Sequence, residues 1–142
     1  MSNQEAVLFA NDAFYAAFAE RDIEDMSRFL SHNNPIIFTH QGWQNLEGHE
    51  EVMESWTAIL SNPESPLIIC RARRAAIYGD MAIVTCVEEI STQSDEHEFL
   101  AATNVFVRSG RVWTMVHHQA GPVHVDPNVF EDDDEDQPQA IN

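Results

Sequence analysis

The order of apolar and polar residues indicates helices in three parts of the first 60 residues. Over residues 4–20, apolar and small residues cover most of a helical surface, which is typical of a helix that is buried on more than one side. A shorter apolar stripe follows Asp22, whose side chain is suited to capping a helix N-terminus. A third stripe, with Val52 and Trp56 on one face, predicts a helix over residues 48–60.

The second half of the chain has the alternating pattern of β-strands. Gly79-Asp80 and Ser109-Gly110 separate alternating segments and are typical of tight hairpin turns. A polar loop joins the two hairpins, and a shorter strand precedes the third helix. The predicted strands span residues 36–40, 67–78, 81–90, 99–108 and 110–123.

The first hairpin turn fixes a predicted register for the two strands that it joins. If Tyr78 faces Met81, Arg71 lies opposite Glu88, so that opposite charges meet across the strands. The same register separates the two cysteines of the chain. We therefore expect both cysteines to be free thiols.

The second hairpin turn decides which histidine of the last strand shares a face with Asn104. If Arg108 faces Arg111, His117 lies on the same face as Asn104, and His118 points to the opposite face. This register predicts that His117 lines any pocket beside Asn104. It also predicts that His118 turns towards a partner molecule.

Both faces of the last two strands are largely apolar, unlike those of an antiparallel sheet with one solvated face. The three helices can cover one face, and a second copy of the sheet is an economical cover for the other. We therefore expect an α+β fold in which three N-terminal helices pack on a curved, mainly antiparallel sheet. We also expect a homodimer that forms through the sheet.

The chain is strongly acidic, with 24 aspartates and glutamates against 7 arginines and no lysine, a net charge of −17. Binding of nucleic acid by such a surface would need a local basic stripe, so we expect no nucleic-acid partner. The nearest approach is Arg71, Arg73 and Arg74, which on a regular strand divide between two faces. These arginines are interpreted as ion-pair residues, with an anion site as the alternative.

Further features of the sequence concern its location and organisation. The N-terminal residues lack the basic and apolar regions of a secretory signal peptide, and the sequence has no apolar run long enough to span a membrane. We therefore expect a cytoplasmic protein with no membrane partner. Cys70 and Cys86 lie in apolar runs, which agrees with a reducing compartment. Residues 1–125 are predicted to form one domain, and the acidic residues 126–142 a disordered tail.

Common catalytic and cofactor motifs are absent from the sequence. There is no GxSxG, GxGxxG or phosphate-binding loop. Three histidines, His40, His117 and His118, invite a metal interpretation, but adjacent residues of a strand point in opposite directions. At most one of the pair can join His40, so we expect neither a metal nor a cofactor.

Several short motifs, in order, resemble the SnoaL-like subgroup of the ketosteroid isomerase and nuclear transport factor 2-like superfamily. The resemblance covers residues 4–123 and rests on dispersed segments. These are NDAFYAAF at 11–18, GW at 42–43, LEG at 46–48 followed by Val52 and Trp56, AATNVFV at 101–107 and WTMVHHQAGP at 113–122. The resemblance implies a cone-shaped fold with an apolar pocket at its open end.

The resemblance also implies positions for a catalytic site of the ketosteroid isomerase type. The oxyanion-donating tyrosine of that family matches Tyr15, its carboxylate base falls on Thr39 or His40, and its second oxyanion donor falls near Asn104. An imidazole can act as a base, and a carboxamide can donate to an oxyanion. The catalytic candidates are therefore His40, Tyr15 and Asn104. The candidates for contact with a ligand are Phe14, Phe18, Trp43, Trp56, Phe106, Trp113, Met115 and His117.

Two functions remain open on the sequence alone. One is isomerase, cyclase or dehydratase chemistry on a small apolar carbonyl compound. The other is a dimeric module without catalysis that binds a small apolar ligand or a protein partner. The missing carboxylate base favours the second, and the polar positions implied by the resemblance favour the first.

Overall fold

The structure is a computed structural model that describes residues 1–91 and 96–130. Three helices lie in the first half of the chain, and a six-stranded sheet contains most of the second half. The helices are α1 (Asn3–Glu20), α2 (Ile23–Phe29) and α3 (His49–Ser61). The strands are β1 (Ile37–Thr39), β2 (Leu46–Glu47), β3 (Leu67–Tyr78), β4 (Met81–Ser91), β5 (His97–Ser109) and β6 (Val112–Pro122).

The helix boundaries follow from local capping. Ser2 and Glu5 form a reciprocal capping box at the start of α1. The predicted cap at Asp22 is confirmed, because its side chain accepts from the backbone N–H of Asp25. Between these helices Arg21 adopts a left-handed conformation, with φ of 56°. Its guanidinium donates to the carbonyl oxygens of Asn62 and Ser65, at 2.8 and 2.7 Å, and so joins the end of α1 to the end of α3.

The strands form one sheet in the order β2-β1-β6-β5-β4-β3. All neighbouring pairs are antiparallel except β1 and β6, which run parallel. The helices pack on one face, and the core between the two layers includes Phe14, Met26, Phe38 and Phe106. The predicted α+β architecture with a mainly antiparallel sheet is confirmed. Strand β2 was not predicted, because two residues are too few to show a period.

The predicted register of the first hairpin holds only next to its turn. Tyr78 faces Met81 as expected, but a bulge before Arg74 shifts the rest of β3. Arg71 therefore lies opposite Val87 rather than opposite Glu88. The bulge contains Ala72, whose φ of 54° is unusual for a residue with a side chain.

The bulge also corrects the predicted faces of the arginine cluster. Arg71 and Arg73 lie on opposite faces, because the extra residue between them changes the alternation. The guanidinium of Arg73 donates to both carboxylate oxygens of Asp12 on α1, at 2.7 and 3.1 Å. Arg71 lies 3.7 Å from a carboxylate oxygen of Glu89 on the outer face.

The predicted register of the second hairpin is wrong. The turn residues are Gly110 and Arg111, and a second bulge places Val116 outside the regular pairing. Beyond this bulge, His118 rather than Met115 lies opposite Asn104. The extra residue reverses the alternation of β6, so His118 points to the helix-covered face.

The described chain continues past the predicted domain boundary at residue 125. A single 3-10 turn spans Pro127–Val129. The side chain of Phe130, 4% exposed, stacks on Phe99 with 5.6 Å between the ring centroids. The remaining residues of the predicted acidic tail, 131–142, lie outside the described residues.

Candidate functional site

A cavity of about 190 Å³ lies between the helices and the sheet. This volume is below the roughly 300–1,000 Å³ of sites for drug-sized ligands, so the cavity suits a small molecule. Its wall is mainly apolar, with a few polar side chains. It is lined by Phe14, Tyr15, Phe18, His40, Gln41, Trp43, Trp56, Ile59, Pro66, Ile68, Glu88, Ile90, Leu100, His118 and Ala120.

The polar wall of the cavity is centred on the pair of Tyr15 and Glu88. The Tyr15 hydroxyl donates to Oε2 of Glu88 at 2.6 Å, and it lies 3.3 Å from Sγ of Cys86. Tyr15 comes from the buried face of α1 and Glu88 from the buried face of β4. The contact therefore joins the helical layer to the sheet through a hydrogen bond within the core.

A directed chain of hydrogen bonds holds this pair in place. The amide nitrogen of Asn104 donates to Oδ1 of Asn11 at 2.8 Å and to the Tyr15 hydroxyl at 3.2 Å. The amide oxygen of Asn104 lies 2.6 Å from Nδ1 of His118. Because that oxygen can only accept, His118 must donate from Nδ1. The hydrogens of the chain thus run from His118 through Asn104 and Tyr15 to Glu88.

Burial shifts the pKa of each ionisable side chain in this row of hydrogen bonds. It raises the pKa of Glu88, although the hydrogen bond from Tyr15 acts in the opposite direction. Burial, followed by the charge of Glu88, holds the pKa of Tyr15 well above its usual range. Burial lowers the pKa of His118 to about 3, with smaller effects of His40 and His117. The wall therefore keeps Tyr15 as a phenol and His118 as a neutral imidazole.

His40 supplies a second polar group to the cavity. Its Nε2 lies 2.8 Å from Oγ of Ser55, and Ser55 donates its own hydrogen to the carbonyl oxygen of Val52. Ser55 must therefore accept from His40, which places the ring hydrogen on Nε2 and leaves a lone pair on Nδ1. Burial lowers the pKa of His40 to about 4, so the imidazole is neutral near neutral pH.

Six of the predicted site residues line the cavity. Trp56 is central to them, because its ring lies at a steep angle to those of Phe14 and His40, with centroid distances of 5.5 and 4.6 Å. Trp43 contacts the other side of His40, with 5.0 Å between centroids, and remains 45% exposed. The predicted residues that line the cavity are Tyr15, His40, Phe14, Phe18, Trp43 and Trp56.

The other predicted residues lie outside the cavity wall. Phe106, Trp113 and Met115 are buried in the core, and Asn104 lies behind Tyr15 with no exposed surface. Nδ1 of His117 is 2.7 Å from the carbonyl oxygen of Ile37, so this histidine binds the neighbouring strand. The prediction that His117 rather than His118 shares a face with Asn104 is corrected by the bulge in β6.

Sequence reasoning missed Glu88, His118, Asn11 and Ser55 as site residues. A signal for Glu88 was present, because it is the lone acid in the buried alternation of β4. Asn11 likewise interrupts the buried apolar stripe of α1. A polar residue in a buried stripe needs a partner, so such positions identify hydrogen-bond networks.

The two cysteines are free thiols, as expected, but they lie closer together than the predicted register implies. The Cys70 thiol forms a hydrogen bond with that of Cys86 across the bulged strands, and this contact, together with burial, raises the pKa of Cys70. The bulge at Ala72 explains the difference, because it returns the Cys70 side chain to the helix-covered face. The Cys70 sulfur also accepts from the amide of Asn11 at 3.7 Å.

Potential metal ligands come together at one surface position within residues 1–91 and 96–130. Ligand atoms of Glu20, Asp22 and Asp25 lie within 4.8 Å of one another. Asp22 already caps α2, and Asp25 accepts from Arg28 at 2.8 Å.

The described part of the chain has no helix with the length and apolar character to cross a membrane.

The sequence of this chain is similar to that of a curated protein. A curated relative that matches this chain is the F-box protein SKIP8 of Arabidopsis thaliana, 26% identical over 121 residues. The match takes in 85% of this chain and 51% of the plant protein, so the chain spans about half the length of that relative.

Solved structures show the same fold. A putative dehydratase of the NTF2-like family from Streptomyces avermitilis is 30% identical, with a TM-score of 0.78, over 87% of this chain and 97% of that one. A putative calcium/calmodulin-dependent protein kinase type II association domain from Thiobacillus denitrificans is 29% identical, with a TM-score of 0.73, over 81% and 93%.

The family is established by a match over most of the chain. Residues 7–124 match the model of the SnoaL-like domain, and they contain α2, α3, the sheet, all of α1 after its first four residues and every residue of the cavity wall. The fold also agrees with the solved NTF2-like structure from Streptomyces avermitilis, with a TM-score of 0.78. The chain is therefore a member of the SnoaL-like domain family within the NTF2-like superfamily.

Proposed function

We propose that this protein binds a small neutral carbonyl compound in its cavity and transfers protons to and from it, as an isomerase or dehydratase does. The observation that supports this most strongly is the buried chain of hydrogen bonds that ends on Tyr15 and Glu88 at the cavity wall. Its relative from Streptomyces avermitilis, described as a putative dehydratase, agrees with this reaction class.

His40 is proposed as the base. Its neutral ring has the hydrogen on Nε2, so Nδ1 can accept a proton from the carbon next to a ligand carbonyl. The C–H electron pair then moves into the carbonyl group and forms an enolate. Return of a proton from His40 to carbon completes the cycle, with no net change in atoms or electrons.

Tyr15 is proposed as the donor to the enolate oxygen. Its raised pKa keeps the phenolic hydrogen in place. In this role the Tyr15 hydroxyl turns its hydrogen from Oε2 of Glu88 to the enolate oxygen. Glu88, whose pKa is raised by burial, then donates to the phenolic oxygen in its protonated form. Asn104 is proposed as a positioning residue, because its two amide hydrogens are given to Asn11 and Tyr15. It therefore has none to give to an oxyanion.

The test is exchange of the α-hydrogens of cyclohexanone in deuterium oxide, followed by proton NMR. Tyr15→Phe and His40→Ala are each expected to slow the enzyme-dependent exchange about a hundredfold, since each removes one group that acts on the enolate. The wild-type rate is expected to fall as pH drops through about 4, because His40 then becomes protonated and loses its lone pair.

The matched controls are Tyr78→Phe and His117→Ala, which change the same residue types outside the cavity. Both are expected to keep the wild-type rate. Full exchange activity in Tyr15→Phe and His40→Ala would contradict the assignment of these two residues.

A second proposal is that two copies associate through the outer face of the sheet. Exposed apolar side chains lie on that face, among them Ile37, Ile69, Tyr78 and Met81. The relative from Thiobacillus denitrificans is described as an association domain, which agrees with assembly. A dimer without catalysis would use the same face.

Light scattering tests this assembly. The expected mass in solution is twice the 16.1 kDa of one chain, and Ile69→Glu is expected to give a monomer because it places a charge in the interface. Thr57→Glu adds the same charge on the exposed surface of α3 and is expected to remain a dimer. A wild-type monomer at micromolar concentration would contradict the proposal.

A further inference from the structure

The indole N–H of Trp56 is a buried donor without an acceptor. Trp56 is 3% exposed, and its Nε1 has no hydrogen-bond partner among the described residues. Its side chain belongs to the cavity wall. A buried donor that gives up its bond to water and gains no other is unfavourable, and native proteins seldom keep one.

The surroundings of Trp56 explain why no protein group accepts this hydrogen. Its ring is packed among the rings of Phe14, Phe38 and His40, at centroid distances of 5.5, 6.3 and 4.6 Å. The neighbouring hydroxyl of Ser55 already donates to Val52 and accepts from His40. A tryptophan that served only to fill this space could be replaced by phenylalanine without leaving an orphan donor.

The other buried donors of the cavity wall are already engaged by protein groups. The Tyr15 hydroxyl donates to Glu88, His40 donates from Nε2 to Ser55, and His118 donates from Nδ1 to Asn104. The Trp56 N–H is therefore a donor that a ligand can use without breaking a bond of the protein. Its position beside His40 would place the acceptor of the ligand next to the base.

We propose that the indole N–H of Trp56 recognises the ligand by donating to its neutral oxygen acceptor, so that the cavity selects a small carbonyl compound over a hydrocarbon of the same shape. This inference rests on the proposed function, because it names what the ligand must carry to occupy the same cavity. Trp56 thus determines ligand specificity and also forms part of the cavity wall. The small cavity limits the ligand to about the size of one six-membered ring.

The experiment compares two probes of nearly equal shape, cyclohexanone and methylenecyclohexane, by NMR of the nitrogen-15-labelled protein. The indole signal of Trp56 is assigned as the one lost in Trp56→Phe. With cyclohexanone, this signal is expected to move downfield as the hydrogen bond forms, whereas methylenecyclohexane is expected to leave it near its starting position. The indole of Trp113, which is buried in the core away from the cavity wall, serves as the internal control.

A second measurement separates this inference from the proposed function. The methyl signals of Ile59, Ile68 and Ile90 report occupancy of the cavity, since all three residues line it. If cyclohexanone shifts these methyl signals but moves the Trp56 indole no more than methylenecyclohexane does, the role of Trp56 is overturned and binding stands. If cyclohexanone shifts neither set of signals, both proposals fail.

A variant that keeps the shape of the ring completes the test. Benzothienylalanine at position 56 replaces the N–H by sulfur and retains the bicyclic ring, so it removes the donor with little change in packing. It is expected to weaken cyclohexanone binding about tenfold and to leave methylenecyclohexane binding unchanged. The same replacement at position 113 is expected to alter neither, and equal loss of both probes at position 56 would overturn the inference.

Discussion

Replacement of Asn104 by leucine is expected to lower the free energy of unfolding by about 4 kcal/mol. The change keeps the approximate volume of the side chain but removes both amide groups from a fully buried position. Oδ1 of Asn11 then loses its donor, and Nδ1 of His118 loses its acceptor. Each buried polar atom left without a partner costs about 1–3 kcal/mol, and the two effects combine.

Chemical denaturation of wild type and variant measures this loss. Asn45→Leu is the matched control, because it makes the same substitution at an exposed position where the side chain accepts one hydrogen bond, from Thr39. We expect the control to lose less than about 1 kcal/mol. If Asn104→Leu lost no more than Asn45→Leu, the buried chain of hydrogen bonds would not be a stabilising element of the fold.

Acidification is expected to destabilise the protein, in part through His118. Its pKa is about 3 in the folded protein and near its ordinary value of 6.5 in the unfolded chain. Between these two pKa values, His118 binds a proton in the unfolded state but stays neutral in the folded state. The free energy of unfolding therefore falls as pH drops below about 6.5 and continues to fall towards pH 3. Glu88 acts in the opposite direction, because its raised pKa lets the folded state bind a proton first.

The variant His118→Asn isolates the contribution of this histidine. Its amide nitrogen can still donate to the Asn104 oxygen in place of Nδ1, but it does not titrate. Between pH 7.5 and 4.5 the variant is expected to lose about 2–3 kcal/mol less stability than the wild type. Denaturant titrations at several pH values measure the difference. An identical slope in both proteins would contradict a neutral, buried His118, and the exposed His124→Asn controls for loss of a histidine.

The main helices and strands could be predicted because the segments with a regular apolar pattern are long and end at capping or turn residues. Asp22 capped α2 as its residue type suggested, and Gly79 at φ of 63° formed the expected turn. These signals are local, and they are strong enough to give the order of elements and hence the fold.

The site was harder to predict, because two bulges decide which side chains reach it. Ala72 and Val116 are neither glycine nor proline, so nothing in the local sequence marks the extra residue in each strand. Each bulge reverses the alternation beyond it, which brings Cys70 close to Cys86 and turns His118 instead of His117 towards Asn104. The pairing of Tyr15 with Glu88 depends on tertiary contact and had no signal other than a lone acid among apolar residues.

Titration of the Glu88 carboxyl tests the central claim of this account most directly, namely that Tyr15 and Glu88 form a buried, proton-holding pair at the cavity wall. Carbon-13 labelling of glutamate carboxyl groups gives one signal for each residue, and Glu88→Gln identifies the signal of interest, with Glu89→Gln as the neighbouring control. We expect the Glu88 signal to titrate at higher pH than that of an ordinary glutamate. A Glu88 carboxyl that titrates in the ordinary range of exposed glutamates would contradict the account.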